Sequence, residues 1–410
     1  MTSDNFGRGG HWPPEKTLYE PAYGKLNLTL DVLGRREDGY HDLRMVMCSV
    51  ELHDDIEIRL GGAEGCACVF DVGAAIGRQR ASAARPYSTV GNPACHSEAC
   101  SDEASGLRFF AGAQNDMNGT ASVGAISESP AALPQDENNL AYKAARAYCS
   151  AAGIDPGGCF ITIRKRIPMQ AGMAGGSSDA AAVLRGLNRH FGAFSDEELL
   201  KLGLTLGSDV PYCLFGGVAL AEGRGERLTR LPELPSGLFV VLAKPDFSVS
   251  TPALFRALDE AKGIRDPGSG VRVVGDGAFD VPSGCTAGDD LPDEGGSRPA
   301  DRADSAAQYI GPYGRESNTD AMLAALAAGD LHAIGGALSN DFAPVLAEMH
   351  PIIEAVKQTM KNCGALGAEL TGTGSVIFGL FDDPTLAQAA CTALSRQVPF
   401  VQVTTLRSKL

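Results

Sequence analysis

Residues 167–182 read IPMQAGMAGGSSDAAA, and this is the stretch that decides the fold. It follows the strand-like run Cys159–Ile163 and leads into a run whose apolar residues recur at helical spacing. Glycine lets the backbone turn sharply and approach a ligand closely. A helix at this point would present unpaired N–H groups and the positive end of its dipole. The stretch therefore predicts a phosphate cradle between a strand and a helix.

The loop part of this stretch, residues 168–178, is named the phosphate loop below. Ser177 and Ser178 add hydroxyls for phosphate oxygens, and Ser178 is also the candidate Mg²⁺ ligand. The loop lacks the Lys-Ser/Thr ending of a Walker loop, so a glycine-rich turn capped by one of these serines is the alternative. The candidate phosphate-binding residues are Pro168, Met169, Gln170, Ala171, Gly172, Met173, Ala174, Gly175, Gly176, Ser177 and Ser178.

A strand is predicted near the N-terminus, from Lys25 to Leu33, because apolar and polar residues alternate there. Lys25 and Asn27 therefore lie on the same face, about 7 Å apart. A turn bearing an aromatic ring and an imidazole follows at Asp38-Gly39-Tyr40-His41. Taken alone, both segments also fit ordinary surface strand and turn chemistry.

Two further segments carry candidate functional residues. Asp209 follows a helical segment and precedes the apolar run Val210–Leu214, which is predicted to begin a strand. A carboxylate in such a setting is costly without a cationic partner. The other segment holds the small-residue loop Thr371–Ser375, named the second loop below, which runs into an apolar strand. By themselves, these segments also fit a turn aspartate before proline and a plain hairpin turn.

Together the four segments resemble the galactose/homoserine/mevalonate/phosphomevalonate (GHMP) kinase superfamily, whose three motifs occur in this order. More narrowly, they resemble the kinases of 4-diphosphocytidyl-2-C-methyl-D-erythritol in non-mevalonate isoprenoid biosynthesis. The chain departs from these relatives at Ala174, where many of them have glycine, and at a short extension just before Lys25. The narrower resemblance rests on residues 25–28, 34–41, 207–211, 251–255 and 371–375.

This resemblance implies transfer of the ATP γ-phosphoryl group to the 2-hydroxyl of the cytidine substrate. Asp209 would act as the base with Lys25 beside it, and the phosphate loop would hold the ATP phosphates. His41 would read the cytosine edge while Tyr40 and Phe255 stack on the ring. The remaining substrate-binding residues that it implies are Asn27, Thr251, Thr373 and Gly374.

Other functions stay open at this point. A homoserine or mevalonate kinase would keep the phosphate loop but would lack the set formed by Tyr40, His41 and Phe255. A non-catalytic relative would typically have lost Lys25 or Asp209, and both are present. A decarboxylase of the mevalonate branch would share the loop and an aspartate.

Composition agrees with a soluble cytoplasmic enzyme. The expected partner is the small-molecule cytidine substrate that the resemblance implies, and the chain is expected to be a monomer or a homodimer. A net charge of −15 and a pI near 4.9 argue against non-specific binding to nucleic acid. Apolar runs stay short of the roughly 18–20 residues that a bilayer requires, and the N-terminus has no apolar signal core. The 11 cysteines are an odd number and several lie in apolar elements, which predicts free thiols in a reducing compartment.

The predicted fold is α+β with two domains, an arrangement that the resemblance implies. Residues 17–235 would form an ATP-binding α/β sandwich and residues 236–410 a ferredoxin-like α/β domain. Strands are expected near 25–33, 44–60, 159–165, 211–222, 238–243, 366–370, 375–381 and 399–405. Helices are expected near 139–151, 176–190, 196–206, 318–328, 330–338, 351–363 and 384–395.

Two stretches read as insertions, one near 73–136 in the first domain and one near 262–315 in the second. Both are rich in small and polar residues and show little apolar periodicity. Such segments bury too little apolar surface to offset their ordering entropy, so they are expected to be mobile on the surface. A short strand pair near 66–69 and 107–110 is expected at the edge of the first.

Overall fold

The computed structural model of the chain describes residues 16–61, 67–71, 139–155, 158–263 and 317–407, with only the backbone described for 67–71. The strands in these ranges are β1 Lys16–Arg35, β2 His41–Leu60, β3 Ala67–Asp71, β4 Cys159–Arg164, β5 Ala219–Gly223, β6 Arg227–Arg230, β7 Phe239–Lys244, β8 Ser339–Asn340, β9 Gly367–Leu370, β10 Ile377–Phe381 and β11 Phe400–Arg407. The helices are α1 Leu140–Ala152, α2 Gly175–Phe191, α3 Asp196–Leu206, α4 Val210–Phe215, α5 Thr251–Lys262, α6 Thr319–Ala328, α7 Leu331–Gly336, α8 Phe342–Met349, α9 Ile352–Asn362 and α10 Pro384–Leu394.

Two long antiparallel strands, β1 and β2, organise the N-terminal part. The alternation that predicted a strand at 25–33 is confirmed, and β1 extends beyond it in both directions. On its other side β2 pairs with β4 and, near its start, with β5, while β3 joins β4 in parallel. Because α2 follows β4 directly after the phosphate loop, this sheet fixes the place of the loop.

A second group of antiparallel strands, in the order β11-β7-β10-β9, forms the C-terminal part. Strand β11 pairs with β7 along most of its length and meets β2 through Leu406 opposite Val50. Helices α9 and α10 pack against these strands. The predicted α+β fold is confirmed by this architecture.

The main hydrophobic core draws on both groups of strands. Leu26 and Val46 from the first group lie in one cluster with Val240, Leu242 and Phe378 from the second. Burial of this surface contributes on the order of 25 cal/mol per Å² of apolar area. The hydrophobic core therefore contains residues from both sides of position 235. The domain boundary predicted after residue 235 stays a prediction.

The structure corrects the prediction of a strand over 211–222. Residues 210–215 form the short helix α4, and strand β5 begins only at Ala219. Val210, Tyr212 and Cys213 are all buried. A short helix that is buried on all sides has a continuous run of apolar residues, and a buried strand has the same pattern. Pro211 suits the first turn of a helix, where its missing N–H is not needed. Helices α5 and α8 were also absent from the predicted elements.

Several expectations about the rest of the chain meet the structure only in part. Helix α5 ends at Lys262, where the second insertion was expected to begin. Strand β3 matches the first member of the strand pair expected near 66–69 and 107–110. The second member and nearly all of both insertions lie outside the described residues. Six described cysteines are free thiols, as predicted, and no helix in the described ranges has the length and apolarity to cross a membrane.

Candidate active site

The phosphate loop connects β4 to α2, and its backbone conformation is unusual at three positions. Gln170, Gly172 and Ala174 have φ values of 50°, 73° and 56°, in the left-handed region. Ala174 is the N-cap of α2, and its side chain makes no capping hydrogen bond. The N–H groups of residues 175–177 precede the first helical hydrogen-bond donor and stay outside the helix ladder. They are therefore placed to bind an anion.

The phosphate loop and the second loop are in direct backbone contact. A Cβ built on Gly172 would lie 2.1 Å from the carbonyl oxygen of Thr371, and one built on Gly372 would lie 2.7 Å from the carbonyl oxygen of Gly172. The Val376 N–H donates to the Ala171 carbonyl across the same junction at 3.3 Å. No side chain larger than hydrogen fits at Gly172 or Gly372 without moving the backbone. Two segments nearly 200 residues apart are thereby brought together.

Lys25 lies at the junction of the two loops. Its N–H donates to the Met173 carbonyl at 3.1 Å, and its ammonium donates to Asn27 Oδ1 at 2.5 Å. The predicted common face of Lys25 and Asn27 is thus confirmed. The ammonium also lies 3.2 Å from the Cβ position of Gly372. The positive charge of Lys25 therefore lies where the two loops meet.

Asn27 is completely buried and hydrogen-bonded within the protein. Its Oδ1 accepts from the Gly372 N–H at 3.0 Å, and its own N–H donates to Thr371 Oγ1 at 3.1 Å. These bonds tie β1 to the second loop. In the structure Asn27 positions the second loop, and its contact with substrate stays a prediction.

Asp209 is the N-cap residue of α4 and is partly exposed, with no capping hydrogen bond from its side chain. The buried Cys213 thiol lies within electrostatic reach of both proposed catalytic residues. Burial raises the pKa of this thiol, Asp209 raises the pKa further, and Lys25 lowers it. Within the described ranges the ammonium of Lys25 is bonded to Asn27 and forms no ion pair with Asp209.

The three residues expected to bind the base, Tyr40, His41 and Phe255, form the base-side cluster. Tyr40 is 52% exposed, and the Arg224 guanidinium lies 4.8 Å from its ring centroid. The ring stacked on Phe255 is that of His41, with centroids 4.4 Å apart and planes at 23°. The His41 Nε2 lies 2.9 Å from Asp259 Oδ1. The structure thus brings two of the three rings into contact and adds Asp259.

The second loop also contacts the start of α5. The hydroxyls of Thr251 and Thr373 lie 3.1 Å apart, and Ser375 Oγ donates to the Phe247 carbonyl at 3.0 Å. Gly374, at φ 80°, packs against Leu346 and Leu370. The predicted substrate-side residues of the second loop and α5 therefore lie next to each other.

Comparison with known proteins decides the family. The model of the GHMP kinase N-terminal domain matches residues 139–217, and that of the GHMP kinase C-terminal domain matches residues 322–399. A protein of Caldicellulosiruptor saccharolyticus named 4-diphosphocytidyl-2-C-methyl-D-erythritol kinase is 32% identical over 88% of this chain and 87% of its own length. The chain belongs to this family of GHMP kinases.

Further relatives confirm both levels of the resemblance. A kinase of the same name from Pelotomaculum thermopropionicum is 33% identical over 88% of each chain. The crystal structure of a 4-(cytidine 5'-diphospho)-2C-methyl-D-erythritol kinase, at 27% identity, superposes with a TM-score of 0.58 and covers 95% of this chain and 99% of the other. GHMP kinases use ATP as a substrate, and the binding of its phosphates at the phosphate loop stays a prediction.

One feature of this family member was not predicted from the sequence, a buried ion cluster of Asp54, Lys165 and Asp179. The Lys165 ammonium lies 2.5 Å from Asp54 Oδ2 and 2.7 Å from Asp179 Oδ2. Asp54 Oδ1 also accepts from the Arg166 and Ile167 N–H groups, directly before the phosphate loop. The cluster thus holds both ends of the loop. Asp179 alone carried a sequence signal, as a charged residue in a run of small residues, whereas Asp54 and Lys165 lie among other charged residues.

The charge balance of this ion cluster is uneven. Burial raises the pKa of Asp179 to about 7, Lys165 opposes this shift, and the nearby Asp54 carboxylate adds to it. Among the residues that the structure describes, the buried Asp179 Oδ1 has no hydrogen-bond partner. One ammonium cannot neutralise two buried carboxylates, so Asp179 holds its proton more tightly than an exposed aspartate does.

Proposed function

We propose that the chain transfers the γ-phosphoryl group of ATP to the 2-hydroxyl of 4-diphosphocytidyl-2-C-methyl-D-erythritol, a step of non-mevalonate isoprenoid biosynthesis. The observation that carries the proposal is the base-side cluster, whose Phe255 lies on the helix that contacts the second loop through Thr251. A stacked ring pair and an exposed tyrosine suit a nucleobase, since base–aromatic stacking contributes about 1–3 kcal/mol per base. Homoserine and mevalonate offer no ring to such a cluster.

The residues at the loop junction suit phosphoryl transfer to an alcohol. Such transfer requires the β- and γ-phosphate charge to be held and the hydroxyl to be oriented and deprotonated. The backbone N–H groups of residues 175–177 supply the first. Asp209 accepts the hydroxyl proton, and the Lys25 ammonium stabilises charge on the transferred group.

The Mg²⁺ that accompanies ATP fits a site shared with the phosphates. Phosphoryl-transfer enzymes hold Mg²⁺ through substrate phosphates and one or two carboxylates, to which some add a loop Ser or Thr hydroxyl. The Ser178 hydroxyl donates its hydrogen to the Gly175 carbonyl at 2.9 Å, which leaves its oxygen lone pairs for a cation. Among the described residues no group of three or more His, Cys, Asp or Glu side chains could hold a metal by itself. Bound there, Mg²⁺ would neutralise part of the phosphate charge.

An assay that couples ADP release to a spectroscopic signal tests this function. The purified chain is given ATP and, in separate reactions, the cytidine substrate, homoserine or mevalonate. Turnover with the cytidine substrate should exceed turnover with the other two by several orders of magnitude, because only that substrate occupies the base-side cluster. Faster turnover of homoserine or mevalonate would overturn the proposal in favour of another GHMP kinase activity.

A further inference from the structure

We propose that Asp259 is the positioning residue that gives this site its selectivity for a 4-aminopyrimidine base, acting through His41. The inference rests on the proposed function and extends it to a residue outside the motifs. Its basis is the contact between the two side chains. The His41 Nε2 lies 2.9 Å from Asp259 Oδ1 and 3.1 Å from Asp259 Oδ2.

The placement of Asp259 follows from helix α5. Phe255 and Asp259 are four residues apart, so both project from one face of the helix. His41, at the start of β2, meets both at once, with its ring flat on Phe255 and its Nε2 on Asp259. The stack fixes the plane of the imidazole, and the carboxylate fixes its rotation within that plane. Phe255 is itself held edge-on by Phe342, with centroids 4.8 Å apart.

Burial indicates that this pair serves more than stability. The side chains of His41 and Asp259 are 9% and 13% exposed. In the described part of the chain, His41 is the hydrogen-bond partner of Asp259, whereas Lys262 on the same helix pairs with Asp341. A nearly buried carboxylate with one imidazole partner gives little net stability compared with apolar residues of similar size. A requirement for a fixed imidazole accounts for its presence.

The chemistry of the imidazole then defines what it can recognise. A carboxylate at Nε2 keeps the proton on that atom, so a neutral ring presents Nδ1 as an acceptor. An acceptor matches the 4-amino group of cytosine and repels the carbonyl oxygen at the same position of uracil. Partners of this kind set the tautomer and orientation of a functional histidine without touching the ligand. Asp259 therefore selects the base by fixing the atom of His41 that faces it.

The test compares Asp259→Ala and Asp259→Asn with Glu260→Ala, a neighbouring exposed residue of the same helix. For Asp259→Ala, KM for the cytidine substrate should rise roughly 10-fold or more, with smaller changes in kcat and in KM for ATP. The preference for the cytidine substrate over its uridine counterpart should fall. Asp259→Asn keeps an oxygen that can accept from Nε2, so it should recover part of both losses. Glu260→Ala should match the wild type.

Calorimetric titration with CDP separates this proposal from the proposed function. If the wild-type chain turns over the cytidine substrate and both Asp259 variants keep its base preference, the role of Asp259 alone is overturned. The same holds if KM for ATP rises in parallel with KM for the cytidine substrate. A wild-type chain that neither binds CDP nor turns over the cytidine substrate would overturn both proposals.

Discussion

At the phosphate loop the groups proposed to face a ligand are backbone N–H groups, whereas at the base-side cluster they are the side chains of Tyr40, His41 and Phe255. Backbone groups keep their place only while the chain around them is held. The loop is accordingly held by glycine contacts with the second loop and by the buried ion cluster. At the base-side cluster, by contrast, each proposed contact is made by a side chain that a single substitution removes. Remote changes should therefore damage the phosphate loop most, and direct changes the base-side cluster.

Asp209 belongs to neither region, and its replacement should have the largest effect. In Asp209→Asn the amide cannot accept the hydroxyl proton, so kcat should fall about 10²–10⁴-fold. KM for ATP and for the cytidine substrate should change little, because both binding regions stay intact. Steady-state kinetics measure this, with Asp196→Asn on the exposed start of α3 as control. A kcat close to that of the wild type would contradict the role of Asp209 as the base.

The ion cluster beneath the phosphate loop should make stability depend on pH. The pKa of Asp179 rises from 3.8 in the unfolded chain to about 7 in the folded one. A raised carboxyl pKa gives stability that is complete below the unfolded value and is lost as pH rises through the folded value. Relative to Asp179→Asn, the wild type should thus lose up to roughly 4 kcal/mol between pH 4 and pH 7.

Urea unfolding of both proteins across this pH range measures the difference in their free energies of unfolding. Asp55→Asn serves as control, since Asp55 pairs with Arg166 at the surface. A difference that stays constant with pH, or that grows in favour of the wild type as pH rises, would contradict the assigned charge imbalance.

The glycine junction gives the next largest effect. In Gly172→Ala the new methyl would meet the Thr371 carbonyl at 2.1 Å, and the residue would also keep a φ of 73°. Left-handed strain alone costs roughly 1–2 kcal/mol, so with the clash the free energy of unfolding should fall by about 2–4 kcal/mol.

Gly192→Ala is the matched control, because Gly192 has a φ of 65° and open space around its Cβ position. Urea unfolding of both variants isolates the cost of the contact, and KM for ATP should rise only in Gly172→Ala. Equal losses of stability would show that backbone strain, without the loop junction, explains the effect.

On the base side, His41→Ala should raise KM for the cytidine substrate about 10–100-fold while KM for ATP stays nearly constant. A site built to hydrogen-bond a base loses its partner, whereas the phosphate loop loses nothing. His332→Ala, on the exposed face of α7, should resemble the wild type. Parallel increases in both KM values would mean that the two regions are not separable.

The smallest expected effect is a gain at the phosphate loop. Ala174 has a φ of 56°, which glycine adopts without strain. Ala174→Gly should therefore stabilise the chain by about 0.5–1 kcal/mol, since part of the relieved strain is offset by the greater freedom of unfolded glycine. Thermal unfolding measures the gain. A loss of stability would indicate that the Ala174 methyl makes packing contacts worth more than the strain.

Local features of the sequence determined much of the fold. The glycines between β4 and α2 predicted the phosphate loop because turn and helix start depend on neighbouring residues. Alternation placed Lys25 and Asn27 on one face for the same reason. Helix α2 was predicted from the helical spacing of its apolar residues. The short helix α4 was read as a strand because burial on all sides removes that period.

The tertiary structure decided how distant residues support the site. The ion cluster joins Asp54 to Lys165 across 111 positions, and His41 meets Asp259 across 218. Nothing local to these residues marks their partners, since each pairing depends on how sheets and helices pack. The sequence therefore identified the residues proposed to contact ligands, which lie in motifs. The roles of Asp54, Lys165, Asp179 and Asp259 became visible only in the folded structure. A buried charge acquires its partner only when the chain has folded around it.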